Sequence, residues 1–405
     1  MSGVQSKKLP IHLPDGFSFS AVTSGIKASG KPDLALIACA PGTRAAAMFT
    51  NNRVIAAPLQ VAKKSLRATR GSVRAVVVNS GNANCATGEA GLLGCREVCD
   101  KSAEISGCRP EEVFPASTGI IGVPFPAAKI IESLPDLFKN ALPSLEAAHA
   151  FARAIMTTDT RPKVASATFR ERGRQISVLG VAKGSGMIHP QLATMLVYLL
   201  TDVYATSTQL ASALKEATDR SFNCISVDGD TSTNDTALLL ASGRSGVTLK
   251  KGGVGKSFQA ALLEVCNSLA QQIVADGEGV QHVVRITVEE AKDSAEARQV
   301  AAAISHSLLV KTAWAGADPN WGRILAAVGY CGVAINPSRV NIYVGDQIVC
   351  RNGEAHPFDE KRAHDHLSQF RCDVRVRLAR GKASLQFHTT DLSAEYIRIN
   401  ADYST

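Results

Sequence analysis

A chain of 405 residues, 45% hydrophobic and 20% charged, is long enough for two or three cores and has the composition of an ordinary globular protein. No apolar run is long enough to cross a membrane as a helix, and no low-complexity tract interrupts the chain. The formal net charge of +8 raises nucleic acid as a partner, but the densest basic clusters, Arg170 to Arg174 and Arg375 to Arg380, alternate with apolar, polar or acidic residues as solvated faces do, and no nucleic-acid motif accompanies them. A general positive potential favours small anionic substrates instead.

The first residues, MSGVQSKKLPIHLPDG, have neither the apolar core of a signal peptide nor the arginine-rich character of a transit peptide, so a cytoplasmic protein is expected. The ten cysteines are scattered, several of them inside apolar runs. Cys95 and Cys99 are one helical turn apart, but no second Cys/His pair follows at a zinc spacing. Small buried thiols are the expectation, with no metal.

Residues 16 to 60 read as strands joined by polar turns, with Phe17 to Val22 and Leu34 to Ala38 apolar. Val73 to Val78 is the near-continuous apolar run of a strand covered on both faces. It ends in NSGNANCATG, Asn79 to Gly88. That stretch is either a turn, since Asn and Gly tolerate positive φ, or a loop presenting amides to a small polar ligand. A helix is predicted from Glu89 to Ser106, with Leu92, Cys95, Val98 and Cys99 on one face. VFPASTGIIG follows, Val113 to Gly122. Its Thr118-Gly119 can aim a hydroxyl and an unobstructed backbone N–H at one point, the arrangement of an oxyanion hole, although Ser-Thr-Gly is also a common turn. Residues 144 to 156 read as helix and lead into Met156-Thr157-Thr158-Asp159.

The stretch VAKGSGMIHPQLATML, Val181 to Leu196, leaves a strand through Lys183 and two glycines. It reaches Ala193-Thr194 immediately before the apolar run Met195 to Leu200. A small residue, a threonine and then a buried strand is the layout of a chain that cuts itself. The Thr194 hydroxyl would attack the Ala193 carbonyl, and the freed α-amine would then serve as its base. A β-branched residue opening a strand accounts equally well for the local pattern.

Downstream, Ser207 or Thr208 is expected to cap a helix, and Cys224 to Val227 reads as a short strand. DGDTSTNDT, Asp228 to Thr236, fails as an EF-hand loop because its sixth position is Thr233, and reads as a polar turn before the apolar Ala237 to Ala241. Gly184-Ser185-Gly186 has His189 where a dinucleotide fingerprint needs its third glycine. Gly253 to Ser257 lacks the first glycine of a phosphate loop. A helix from Ser257 to Ala275 ends at Asp276-Gly277-Glu278-Gly279, where flanking glycines let Glu278 lie against a ligand or simply close a turn. Composition shifts after Gln281. Val283 to Val288 alternates as a strand, Ser294 to Val310 reads as one long helix, and DPNWGRILAAVG (Asp318 to Gly329) starts another. Val340 to Val344 and Gln347 to Val349 flank a Gly345-Asp346 hairpin turn. The predicted division is a catalytic unit over 1–280 and an α+β domain over 281–405.

KGSGMIHPQLATML, SGIKASGKPDLALI, NSGNANCATG, DGDTSTNDT and DPNWGRI together resemble the ornithine acetyltransferase family of arginine biosynthesis over nearly the full length. The resemblance implies an α/β fold, an αββα-type self-cleaving sandwich like that of certain aminopeptidases, with a smaller C-terminal α+β domain. It places the cut at Ala193/Thr194, giving an α chain of 1–193 and a β chain of 194–405, with two of each in the assembly. Thr118 and Gly119 carry over as oxyanion stabilisers and Thr194 as nucleophile. Thr157, Lys183, Thr194, Glu278, Asn400 and Thr405 carry over as substrate-binding residues. The implied reaction moves acetyl from N2-acetyl-L-ornithine to L-glutamate by ping-pong chemistry with no cofactor. Some family members also use acetyl-CoA as a co-substrate, and nothing legible in the residues separates the two cases. The rivals are an aminopeptidase with an N-terminal nucleophile and a non-enzymatic binding protein. A pure binder would have no need of both Ala193-Thr194 and Thr118-Gly119.

Overall fold

Strands whose alternate residues are all apolar have two faces to bury, and they organise the first two-thirds of the chain. The computed structural model describes residues 11–189, 195–250 and 252–402. It opens with β1 (Phe17–Val22), β2 (Leu34–Cys39), β3 (Arg44–Phe49), α1 (Ala57–Ala68), β4 (Ala75–Asn82), α2 (Gly88–Ser106) and β5 (Val113–Ile120). Helices α3 (Ala127–Lys139) and α4 (Leu145–Ala154) precede β6 (Lys163–Glu171), β7 (Arg174–Lys183) and β8 (Leu196–Thr201). Then come α5 (Ser207–Asp219), β9 (Thr236–Ala241) and α6 (Gly253–Val274).

These strands form two sheets, ordered β1-β2-β4-β5 and β3-β9-β8-β7-β6. Ala35, Ile37, Val76 and Val78 of the first meet Leu179, Leu196, Tyr198, Leu200 and Leu240 of the second in one buried cluster. The intervening residues point the other way. Leu34, Leu36 and Val77 pack beneath α1, α2 and α3 through Val61, Val98 and Leu134. Val197, Leu199 and Leu239 pack beneath α5 and α6 through Leu214, Val265 and Leu269. This is why LVYLLT in β8 is apolar at every position: its side chains alternate between two covered faces. Each leucine so buried contributes about 1.5–3 kcal/mol. The layers run helix, sheet, sheet, helix, the αββα sandwich expected from the resemblance.

The last third has its own sheet and core. It comprises β10 (Val283–Ala291), α7 (Ser294–His306), α8 (Leu308–Ala315), α9 (Trp321–Gly329), β11 (Asn341–Val344), β12 (Gln347–Arg351) and β13 (Glu354–Ala355). These are followed by α10 (Glu360–Leu367), β14 (Arg371–Arg377), β15 (Ala383–Thr390) and α11 (Ala394–Asp402). The sheet order is β13-β12-β11-β14-β10-β15, and its buried cluster, which includes Trp314, Val376 and Phe387, draws only Cys224 from outside residues 283–390. Helix α11 leaves this sheet and returns to the sandwich. A Cβ at Gly279 would overlap the Tyr396 backbone nitrogen, so the helix is seated directly on that turn.

Several expectations are corrected. Residues 16 to 60 are not strands throughout, because α1 begins at Ala57 with Pro58 in its first turn, where the missing N–H is no loss. The helix expected from Ser294 to Val310 breaks at Ser307, whose ψ of 110° is extended and whose hydroxyl accepts from Val310 N–H to cap α8. The cap of α5 is Thr206, which exchanges hydrogen bonds with Gln209 in a capping box. Cys224 to Val227 is no ladder strand. A 3-10 turn, Phe222–Cys224, leads to a single bridge between Ile225 and His388. The strand expected at Val73 to Val78 runs on to Asn82 because β5 pairs beside it in parallel.

Tyr198 is fully buried, edge-to-face with Phe151 at 5.3 Å, and its hydroxyl has no hydrogen-bond partner among the described residues. Leaving a buried donor unpaired costs about 1–3 kcal/mol. Tyr198→Phe is therefore expected to hold or raise the urea midpoint, and a clear drop would contradict the unpaired hydroxyl.

Candidate active site

The site is built around a lysine withdrawn from water. Lys183 ends β7 and is 3% exposed. Its Nζ donates to Thr157 Oγ1 at 2.8 Å and to Thr118 Oγ1 at 3.2 Å, and the Asp159 carboxylate lies at 3.9 Å. Asp159 is held in turn by the fully buried Lys163 at 2.6 Å, and Lys163 reaches Asp276 at 2.6 Å. The charges thus alternate, Asp276, Lys163, Asp159, Lys183, which is how buried ions avoid an uncompensated desolvation cost. Backbone N–H groups of Gly184, at 2.6 Å, and Thr157, at 3.1 Å, also donate to Asp159. Burial alone would raise the Asp159 carboxyl, but the Lys183 and Lys163 ammoniums outweigh it and hold it at about 2. Burial lowers Lys183 despite the opposing pull of Asp159.

Thr118 and Gly119 lie just before the end of β5. Parallel pairing sets Ser80 opposite Thr118 and Gly81 opposite Gly119. Gly119 has φ +134°, and a Cβ there would overlap the Gly81 backbone, so the close approach of β4 and β5 at this point requires glycine. On the other side, Glu278 donates its N–H to the Ser185 carbonyl at 2.9 Å and lays its carboxylate across Gly186, where a Cβ would come within 2.5 Å of the Glu278 carboxyl carbon. Asn400 on α11 donates to Glu278 Oε2 at 2.9 Å. Thr118, Gly119, Thr157, Lys183, Glu278 and Asn400 line one cavity, which an ammonium, threonine hydroxyls and a carboxylate edge. Ala193, Thr194 and Thr405 lie outside the described residues.

The three asparagines of the NSGNANCATG loop have structural work. Asn79 ties the Asn82 carbonyl to Ser117, Asn82 braces the Val123 and Pro124 carbonyls, and Asn84 donates to the Gly91 carbonyl. Of the loop, Ala83 faces the cavity. The polar turn before β9 does more than the sequence suggested. Asn234 lines the cavity and donates to the Ala83 and Ser117 carbonyls. Asp235 accepts from Met195 N–H at 2.9 Å, and Asp228 accepts from Met187 and Ile188. Both described flanks of the 190–194 segment are therefore held by this one turn. Lys163 and Asp276 also escaped the sequence reading. Lys163 occupies an inward position of a strand that otherwise alternates Ala165, Ala167, and a charge at such a position was the available signal.

Fold and cavity together define the class: an αββα sandwich with a small cavity lined by an ammonium, threonine hydroxyls and a carboxylate. The chain belongs to the ArgJ family, whose model matches residues 18–405. It is 46% identical over 394 residues to the arginine biosynthesis bifunctional protein ArgJ of Methylococcus capsulatus, covering 96% of this chain and 95% of that one. The protein of the same name from Pseudomonas syringae pv. tomato is 39% identical over 400 residues, covering 98% of each. The crystal structure of the arginine biosynthesis bifunctional protein argJ from Bacillus halodurans aligns with 51% of this chain and 98% of its own at 38% identity and a TM-score of 0.49. The ornithine acetyltransferase resemblance read from the sequence stands. Among the described residues no helix is long and apolar enough to cross a membrane.

Lys163→Met leaves Asp159 and Asp276 buried without their shared cation, and is expected to cost about 3–5 kcal/mol of stability at neutral pH. In the wild type Asp159 sits at about 2, below its ordinary 3.8. Its contribution is whole above the ordinary value and is lost as pH falls through the folded one. The difference between variant and wild type should therefore narrow on acidification, when the orphaned carboxylates take up protons. Urea unfolding across that range checks both the size and the sign.

Proposed function

We propose that the protein transfers the acetyl group of N2-acetyl-L-ornithine to L-glutamate through an ester on Thr194, after the chain cuts itself between Ala193 and Thr194. The observation that carries this reading is convergence. Six residues named from separate stretches of sequence, from Thr118 to Asn400, line one cavity together with Gly186 and Met187, just upstream of the 190–194 segment.

Self-cleavage begins with the Thr194 hydroxyl adding to the Ala193 carbonyl. The C–N bond breaks, the nitrogen leaves as the α-amine of Thr194, and water opens the resulting ester. The two pieces, 1–193 and 194–405, have reason to stay together, since β7 and β8 pair antiparallel from Val178↔Thr201 to Lys183↔Leu196 across the cut. In transfer, the α-amine takes the Thr194 proton as the oxygen attacks the acetyl carbonyl. The Thr118 hydroxyl and the Gly119 N–H stabilise the oxyanion. Because Thr118 Oγ1 already accepts from Lys183, its own proton is available to donate. Lys183 and Thr157 suit the substrate α-carboxylate, and Glu278 with Asn400 suits an amine. Ornithine leaves with a proton, glutamate attacks the ester through its α-amine, and Thr194 is regenerated with no cofactor. The working form is two α and two β chains, in the cytoplasm.

A second reading, in which acetyl-CoA also donates acetyl to glutamate, is favoured by the name bifunctional carried by both full-length relatives. Acetyl-donor assays with and without acetyl-CoA separate the two.

Intact mass of the purified protein should give two fragments meeting at Ala193/Thr194, and Thr194→Ala one full-length chain. A single uncut wild-type chain overturns the proposal. Thr118→Val, measured on protein already cut, should lower kcat by about 10²–10³ with a smaller change in KM, the cost of one oxyanion donor.

A further inference from the structure

The backbone just upstream of the proposed cut is gripped by one loop. Asp228 accepts from Met187 N–H at 2.5 Å through Oδ2 and from Ile188 N–H at 2.9 Å through Oδ1. The Ile188 carbonyl accepts from Val227 N–H at 3.0 Å, Gly229 N–H at 3.3 Å and the Ser226 hydroxyl at 3.0 Å. Met187 is held at φ +57°, a left-handed conformation that a residue with a long side chain adopts only when its surroundings impose it. Two hydrogen bonds to one carboxylate supply that constraint. The same carboxylate accepts from the Tyr396 hydroxyl of α11 at 3.3 Å, and α11 also carries Asn400, bonded to Glu278. Met187 and Gly186 line the cavity.

We infer that Asp228 is a positioning residue for self-cleavage, fixing Met187 and Ile188 six and five residues before Ala193 and tying them to the terminal helix through Tyr396. This rests on the reading that the chain cuts at Ala193/Thr194. A peptide bond attacked by the hydroxyl of its own next residue must be presented in a narrow geometry, and a loosened upstream arm loses rate without losing the fold. Asp228 is half-buried, and the loss of water around it, with Asp230 of its own loop and Glu278 beyond α6, pushes its carboxyl up to about 6. The other groups around it are Tyr396 of α11, Lys311 of α8, and His306 of α7, whose ring packs on Gly229. A protonated carboxyl keeps only one full acceptor oxygen for the N–H groups of Met187, Ile188 and Asp230, the last at 3.2 Å. Cutting should therefore slow as pH falls through about 6.

The test follows the fraction of full-length chain cut over time after a brief cell-free synthesis and transfer into buffers from about pH 5 to 8. The wild type should cut faster at the alkaline end. Asp228→Asn should be slower by about 10- to 100-fold and lose the acidic limb. Asp228→Glu should recover part of the rate. Tyr396→Phe, which removes one donor to the ionised form, should move the midpoint to higher pH. Melting of each variant on a Thr194→Ala background, where nothing is cut, separates slow cutting from failure to fold. Wild-type cutting at Ala193/Thr194 with an unchanged rate in Asp228→Asn overturns the inference alone. An uncut wild type, or a Thr194→Ala chain that is cut, overturns the functional reading and the inference with it. If Asp228→Asn does not fold, an unmoved profile in Tyr396→Phe overturns the inference.

Discussion

Two lysines and two aspartates withdrawn from water fix the relative positions of the elements that make the cavity. Lys163 opens β6, Lys183 closes β7, Asp159 lies in the connection after α4, and Asp276 follows the end of α6. Each ion needs its neighbours, since a charge buried without its partner costs more than the pair contributes. The network therefore tolerates little change in the distance between α6 and the sheet. Thr160 N–H and the Arg161 guanidinium add further bonds at the Asp276 and Ala275 end. Lys183, at the other end, is delivered to the cavity in one position, with Thr118 and Thr157 on its ammonium.

The 190–194 segment joins two neighbouring antiparallel strands, and one loop holds both of its described flanks. Asp228 takes the N–H groups of Met187 and Ile188, and Asp235 takes that of Met195. Met195 also receives Thr236 N–H on its carbonyl, at the start of the strand beside β8. A loop that holds both flanks of this segment needs rigidity of its own. Asn234 supplies it by reaching the Ser117 carbonyl of β5 in the opposite sheet and the Ala83 carbonyl in the loop after β4. The two sheets of the sandwich are thereby joined by hydrogen bonds at the same end where the cavity opens.

The terminal helix crosses the simplest partition of the chain. Residues 283–390 build their own sheet and core, yet α11 returns to sit on Gly279 and brings Tyr396 and Asn400 to the cavity side. The cavity uses residues from both sides of residue 281, Lys183 and Glu278 before it and Asn400 after it.

The family is legible in the amino-acid sequence, the layered fold follows from that resemblance, and six of the fourteen residues that line the cavity are among those it names. Continuous apolar runs such as LVYLLT must bury two faces, and phrases such as KGSGMIHPQLATML are long enough to be specific, so Thr118, Gly119, Thr157, Lys183, Glu278 and Asn400 can be named from the resemblance alone. Local breaks were less legible. Ser307 interrupts what reads as one helix because a single hydroxyl cap decides it, and α1 hides in a stretch of mixed patterning. The pairing of charges and amides is set by the folded chain alone. Nothing near Lys163 in sequence announces that Asp276 waits 113 residues away, that Asp228 would grip Met187 rather than a cation, or that Asn79, Asn82 and Asn84 would turn inward to brace backbone instead of facing a ligand. Hydrophobic alternation is a property of neighbours along the chain. The partner of a buried polar group is set by where distant segments come to rest.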